Sequence, residues 1–489
     1  MGTALKIGKN VFFLAAGNII QKILSFVMVV FIAQKIGVEA FGVYSFAFSF
    51  VILFLAFADF GIATLIFREI AKKRHNASEL MGNAIVVRIA LFFITLFGVF
   101  ALILFLHFFR PSQYTLQVIF FVLIAAVSLL LDSMAGLFRM SFFAFQEMQY
   151  DFFVNTFYKI VLVFLTLSVL FFGYGLTEIF YVALFSSFVN FVISFFVMVK
   201  KFFVPKFSFN LQKYRELAVA GLPFCFIAFF LSIYASIDLT MLSIFKGNLS
   251  VGYYSAAMRL ISAISFIPIV LTSSIFPVLA SFYGSLNRSV GLIILKSLKY
   301  LLIIILPIAF ATTLLSERII SLIYPVTQAN NFLPASGALA ILIWFIVLGF
   351  LNLVFLNSFQ STAFEKKAFY IVVFSLVVNV VLNLVLIPLY DFNGAAFASV
   401  LSELAFFVLA VFFSAKHFEF FNAFSAVKLF FKPLIASLFI FVFIYLFFFL
   451  NIFVLFFVSA VMYFLVLFLI RGFDLQDISF FRQLINMKK

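Results

Sequence analysis

The chain has 489 residues, 66% of them hydrophobic and only 10% charged, with a net charge of +15. Soluble domains carry about 25% charged residues, so the composition excludes a water-soluble fold and points to a polytopic membrane protein. The single Cys225 excludes an intrachain disulfide, and His75, His107 and His417 are too scattered in sequence to indicate a metal site.

A membrane-spanning helix needs about 20 apolar residues. Fourteen segments meet that requirement: 10–34, 41–65, 82–106, 116–138, 152–172, 177–199, 217–244, 252–276, 297–316, 335–360, 368–389, 394–414, 431–450 and 452–470. The first is too long for a signal-peptide core and is read as a retained helix. In it, Asn18, Gln21, Lys22 and Ser25 fall at i, i+3, i+4 and i+7, which makes one polar stripe on an apolar helix. Such a stripe faces protein or a watery cavity. Lys22 lies about 20 Å along the helix from the following turn, near mid-membrane, with no acidic residue evident at that depth. An unpaired lysine there suits an anionic ligand.

The turn after the first helix reads Gly37–Ala47 as G-x4-G-x-Y-S-x-A, and the same pattern recurs at Gly247–Ala257, 210 residues later. The glycines suit a tight helix-to-helix turn, and Tyr44 and Tyr254 suit the interfacial belt. Duplication in one orientation implies parallel repeats. The chain is therefore expected to be all-α, with two pseudo-symmetric six-helix lobes, 1–206 and 207–415. Two further helices and a tail follow at 416–489, and the longest linker, about 200–216, joins the lobes.

Charges inside a membrane helix cost roughly 2.5–3.5 kcal/mol each on insertion scales and need a reason. Besides Lys22, the first lobe has Asp59, Arg88, Asp132 and Lys159, all projecting toward one end. They form either a gate or an entry site for an anionic headgroup, or a network that locks the lobe. In the second lobe Asp238 and Arg259 lie at similar depth on neighbouring helices, where a salt bridge is geometrically natural; Arg259 is also a candidate ligand contact. Pro223, Pro268 and Pro307 interrupt apolar segments there, either shaping the lobe or permitting bends. Asn379 and Asn383, with Glu403 on the next helix, make a smaller cluster in which Glu403 either carries a coupling ion or is simply hydrogen-bonded.

With the N-terminus in the cytoplasm, cytoplasmic segments carry 24 Lys and Arg, external loops four, and helix interiors four. That asymmetry places both termini in the cytoplasm and explains the net charge. No nucleophile–base pair, phosphate loop or metal motif is present, so neither an enzyme nor a cofactor is expected.

Asn10-Val11, FIAQKIGVEAFGVY at 31–44, Ala58-Asp59-Phe60-Gly61, Arg68-Glu69-Ile70-Ala71 and Gly82-Asn83 with Arg88 resemble the Wzx-type polysaccharide flippases. These belong to the multidrug/oligosaccharidyl-lipid/polysaccharide exporter superfamily. GYYSAAMRL, ending at Arg259-Leu260, and Asn393-Gly394-Ala395-Ala396 share the likeness. The resemblance implies a two-lobed fold with a central cavity and alternating access, in the cell membrane. It implies as substrate a glycan on a polyprenyl (pyro)phosphate, flipped to the outer leaflet. Membrane lipids are the surroundings, a proton or sodium ion the coupling ion, and glycan polymerase or transferase machinery a partner; nucleic acid is not. Two rivals stay open: a cation-coupled drug antiporter of the same superfamily, which would favour acidic cavity residues, and a membrane glycan polymerase or ligase, which would need a sizeable external loop.

Overall fold

The computed structural model describes residues 2–72, 74–208, 210–264, 289–324, 326–327, 330–362, 364–418 and 421–472. Among the described residues there is no strand. The first seven helices are α1 (Gly2–Ile36), α2 (Val38–Asp59), α3 (Ile62–Lys72), α4 (Ala77–Phe109), α5 (Leu116–Ala144), α6 (Met148–Phe171) and α7 (Leu176–Lys201). They are followed by α8 (Leu211–Lys246), α9 (Asn248–Ile264), α10 (Ser289–Ile323), α11 (Ala335–Ser361), α12 (Glu365–His417), α13 (Ala423–Leu446) and α14 (Ile452–Leu469). Twelve stretches among the described residues are long and apolar enough to cross a membrane. One of them, Lys366–His417, holds two of the spans expected from sequence, because Asp391 (φ 54, ψ −138) breaks α12 in its middle. The second half of the expected span 252–276, with Pro268, lies outside the described residues. The chain is an all-α polytopic membrane protein.

The helices stop where the backbone is forced out of helical angles. Gly37 (φ 83, ψ 172) and Gly247 (φ 92, ψ −178) take the same conformation at equivalent places in the duplicated turn. That region is essentially closed to side-chain-bearing residues, which explains the first glycine of the repeat. Asn210, Asn422 and Asn451 each accept a backbone N–H from the first turn of the helix that follows, the usual relief for unpaired donors there.

Two predicted boundaries are corrected. The second span ends at Asp59 rather than 65, because Phe60 (φ 50) and Gly61 (φ 71) turn left-handed. The residues beyond form the separate helix α3, whose Ile62, Leu65, Ile66 and Ile70 are buried at i, i+3, i+4 and i+8. The fourth span runs past 138 to Ala144, which moves Arg139 from a cytoplasmic loop into a helix. The repeat tyrosines, Tyr44 and Tyr254, are buried.

The chain forms two compact units. One takes in the described residues of 1–259, 327–331 and 387–392, and its core includes Ile62, Ile66, Met81, Phe138 and Phe142. The other takes in those of 260–326, 332–386 and 393–489. There Ile303, Leu315, Ile440, Leu455 and Leu467 pack α10, α13 and α14 together, and Tyr463 donates to the Ile303 carbonyl at 2.8 Å. Much of the abundant phenylalanine stands on outward faces, such as Phe93, Phe97 and Phe108 of α4.

Candidate functional site

Helix α1 has three distinct faces. One packs on α6: Phe13 meets Phe152 with ring centroids 5.3 Å apart, and a Cβ on Gly17 would stand 3.0 Å from the Phe152 ring. Asn10 donates to the Gln146 carbonyl at 3.1 Å and anchors one end of that contact. A second face is exposed and apolar, with Ile19, Ile23, Val27 and Phe31. The third is the polar stripe: Asn18 and Lys22 are exposed, Gln21 and Ser25 half-buried. At 100° per residue the stripe and the Ile23–Val27 face point well apart, so the helix meets two different surroundings. Among the described residues Lys22 has no hydrogen-bond or ion-pair partner.

The four charges expected to cluster separate into two arrangements. Arg88, buried on α4, pairs with Asp59 at the end of α2. It also donates to the Ser133 carbonyl at 3.2 Å and hydroxyl at 2.6 Å. Asp132, one residue earlier on α5, accepts instead from Tyr158 (3.0 Å), Ser187 (2.9 Å) and Asn190 (2.7 Å) on α6 and α7. Its carboxylate is thus hydrogen-bonded by three uncharged donors rather than paired with a cation.

Asn190 links this arrangement to Arg139. Its amide nitrogen donates to Asp132, and its oxygen accepts from Arg139 Nη1 at 3.1 Å. Arg139 also donates to Asn155 at 2.6 Å and pairs with Asp151 at 3.3 Å, while Asn155 donates to Asp151 at 2.9 Å. Sequence reasoning passed over Arg139, Asp151, Asn155 and Asn190. The i, i+4 spacings of Asp151 with Asn155 and of Asn190 with Ser194 were the available signal.

Lys159 stands beside this network without joining it. It is half-buried on α6, with Nζ 6.0 Å from the Tyr158 ring centroid, and has no hydrogen-bond or ion-pair partner among the described residues. It lies within electrostatic reach of Asp132 and of Arg259 on α9, and Arg259 is also within reach of Tyr44. Asp238 on α8 accepts from Tyr254 at 3.0 Å, so the tyrosine of the second repeat copy holds that carboxylate.

In the second unit Glu403 is buried and accepts a hydrogen bond from Asn352 of α11, a residue the sequence did not single out. The Asn352 amide also reaches the Glu403 carbonyl at 2.9 Å. Asn383 donates to Asn379 at 3.0 Å, one turn earlier on the same arm of α12.

The family model described as "Polysaccharide biosynthesis protein" matches residues 7–283, and the MatE model matches residues 223–385. No curated protein matches the chain significantly. Among solved structures, the lipid II flippase MurJ in an inward closed conformation aligns with a TM-score of 0.73 at 17% identity, covering 97% of this chain and 100% of that one. An inward-facing multidrug resistance MATE family transporter of the MOP superfamily aligns at 0.66 and 15% identity, over 81% and 95% of the two chains. A MOP superfamily transporter from Pyrococcus furiosus, described as having a binding pocket of reverse polarity, aligns at 0.59 and 15% identity, over 83% and 96%. These likenesses establish the fold.

Proposed function

The chain belongs to the polysaccharide biosynthesis protein family, and from that premise we propose that it flips a polyprenyl-(pyro)phosphate-linked oligosaccharide from the cytoplasmic to the outer leaflet by alternating access. One observation carries this reading: two lysines within the membrane helices stand without a partner among the described residues, while Arg88 and Arg139 are paired with carboxylates. Asp59, Asp132, Asp151, Asp238 and Glu403 all have partners, whereas Lys22 and Lys159 have none among the described residues. An uncompensated cation at membrane depth needs an anion to offset its desolvation. A drug–cation antiporter would need the reverse, carboxylates left open to a cationic cargo. A polymerase or ligase would need basic residues on a large external loop, and among the described residues the loops between helices are short.

In this scheme the lobes are 1–206 and 207–415, with 416–489 appended, and both termini are cytoplasmic. Lys22, with Asn18, Gln21 and Ser25 beside it, meets the phosphate-bearing headgroup. Arg259 and Lys159 extend the cationic path, and Asp238 sets the position of Arg259. Asp59 with Arg88 locks α2 to α4. Glu403, with Asn379 and Asn383, is the place for a coupling proton or sodium ion.

The test is reconstitution in vesicles holding a fluorescent lipid-pyrophosphate glycan. Protein-dependent transfer between leaflets is expected; transfer of a hydrophobic cation without any transfer of the glycan would favour the antiporter. Reporter fusions after Ser112, Asn248 and Asn393 should all read as external, and a cytoplasmic signal at any of them would overturn the orientation.

A further inference from the structure

The second glycine of the duplicated motif has a role that turn geometry does not explain. Gly42 and Gly252 are both helical, yet neither has room for a side chain. A Cβ on Gly42 would lie 1.7 Å from the Asn248 carbonyl oxygen, and one on Gly252 would lie 2.2 Å from the Val38 carbonyl oxygen. Val38 and Asn248 are themselves 210 residues apart, as are the two glycines. The two copies of the repeat therefore clasp each other reciprocally, each glycine receiving the carbonyl that opens the other's helix. Side chains brace this clasp: Tyr114 and Ser243 hydroxyls lie 3.2 Å apart, Ser243 reaches Asn248 at 3.3 Å, and Gln113 donates to the Ser243 carbonyl.

A second clasp joins the other ends of α2 and α8. A Cβ on Gly221 would lie 2.4 Å from the Phe60 carbonyl oxygen, and one on Gly61 would lie 2.5 Å from that of Gly221. Cys225, one turn on, is buried there, with its thiol 3.5 Å from the Ala56 carbonyl. Gly42 and Gly61 are about 28 Å apart along a helix, close to the thickness of a hydrocarbon core of about 30 Å.

Between the clasps the seam is thin. No residue of α8 from 226 to 235 is buried, and none of α2 from 52 to 55. A permanently packed helix pair buries an unbroken stripe at i, i+3, i+4 and i+7 along its length. Backbone contact closes this pair at its two ends, between them Phe57 and Phe229 meet with ring centroids 5.1 Å apart, and Pro223, which removes one helical hydrogen bond, sits beside the second clasp.

We propose that the Gly42–Gly252 and Gly61–Gly221 contacts are two gates on one seam, both shut in this structure, and that transport opens them one at a time. This rests on the chain being an alternating-access transporter. It does not depend on which lipid is carried. Glycine suits such gates because backbone contact closes them without side-chain atoms that would have to be rearranged at each cycle. Side chains at these positions would hold the corresponding gate open.

The native Cys225, the only cysteine, reports on the Gly61–Gly221 gate. In membranes its alkylation by N-ethylmaleimide should be slow in the wild type. It should rise about tenfold in Gly221→Ala, a shift of about 1.4 kcal/mol in the gate equilibrium, and should not rise in Gly252→Ala. With Cys225→Ser and Ser243→Cys, the buried position 243 reports on the other gate, and the pattern should invert. Should either alanine variant fail to accumulate as a monodisperse protein, Gln113→Ala removes a brace without adding atoms. It should speed labelling at 243 about threefold, equivalent to about 0.65 kcal/mol, and leave Cys225 unchanged. Equal acceleration at both reporters by any one variant would mean general loosening and would overturn the proposal. So would no acceleration at either reporter in folded variants. Neither readout needs a substrate, so a wrong glycan would leave this result standing.

Discussion

The α1 stripe and the α5–α6–α7 network use the same kinds of side chain within one compact unit, and the fold disposes of them in opposite ways. In the network every charged group is answered: Asp132 by three donors, Arg139 by Asp151, Asn155 and Asn190. On α1 Asn18 and Lys22 face outward, and Lys22 is unanswered among the described residues. A buried polar group without partners costs about 1–3 kcal/mol, more if charged, so the first arrangement is what holding a fold together requires. The second leaves the Lys22 charge without a partner among the described residues, which is the ground for proposing a ligand there. Polarity within a membrane helix is thus an ambiguous sign until its partners are known.

The contrast can be broken by substitutions that trade stability against transport. The largest stability effect is expected for Arg139→Ala, which strands Asp151 in a buried site and should destabilise the protein by about 3–5 kcal/mol. Thermal unfolding of the detergent-purified protein measures this, and a change under about 1 kcal/mol would mean that the network is not structural. Arg88→Met should cost somewhat less, about 2–3 kcal/mol, because Asp59 at the helix end is partly exposed and can be rehydrated. Tyr254→Phe removes one hydrogen bond to Asp238 and should cost about 1 kcal/mol. At the low end, Asn18→Ala on the exposed stripe should leave the unfolding midpoint unchanged within about 0.5 kcal/mol while slowing transport. If Asn18→Ala destabilised the protein as much as Tyr254→Phe, the stripe would belong with the network after all.

Much of this was legible in the sequence. The repeat announced itself through Gly37 and Gly247, because a backbone conformation open only to glycine leaves a trace in residue identity. The spans followed from apolar run length, and the stripe from helical spacing on a single helix. The network was harder to see. Asp132, Tyr158, Ser187 and Asn190 come from three helices, and no spacing within one helix encodes a bond to another. Arg139 was misplaced because apolarity fades at Arg139 while the helix continues to Ala144. The motif Ala58-Asp59-Phe60-Gly61 hid a helix end, since three of its four residues look like ordinary span interior. Gly42 and Gly252 were visible as identities, but the reciprocal contact that makes them necessary is a tertiary fact.

The most direct measurement is glycan flipping by Lys22→Met protein in reconstituted vesicles, alongside wild type and Lys22→Arg. Methionine keeps the length and packing of the lysine stem and removes the charge. The account predicts an unfolding midpoint equal to wild type, flipping reduced at least tenfold in Lys22→Met, and partial activity in Lys22→Arg, where charge is kept but geometry changes. Wild-type flipping by Lys22→Met would contradict it and leave the exposed lysine of α1 without a role in binding.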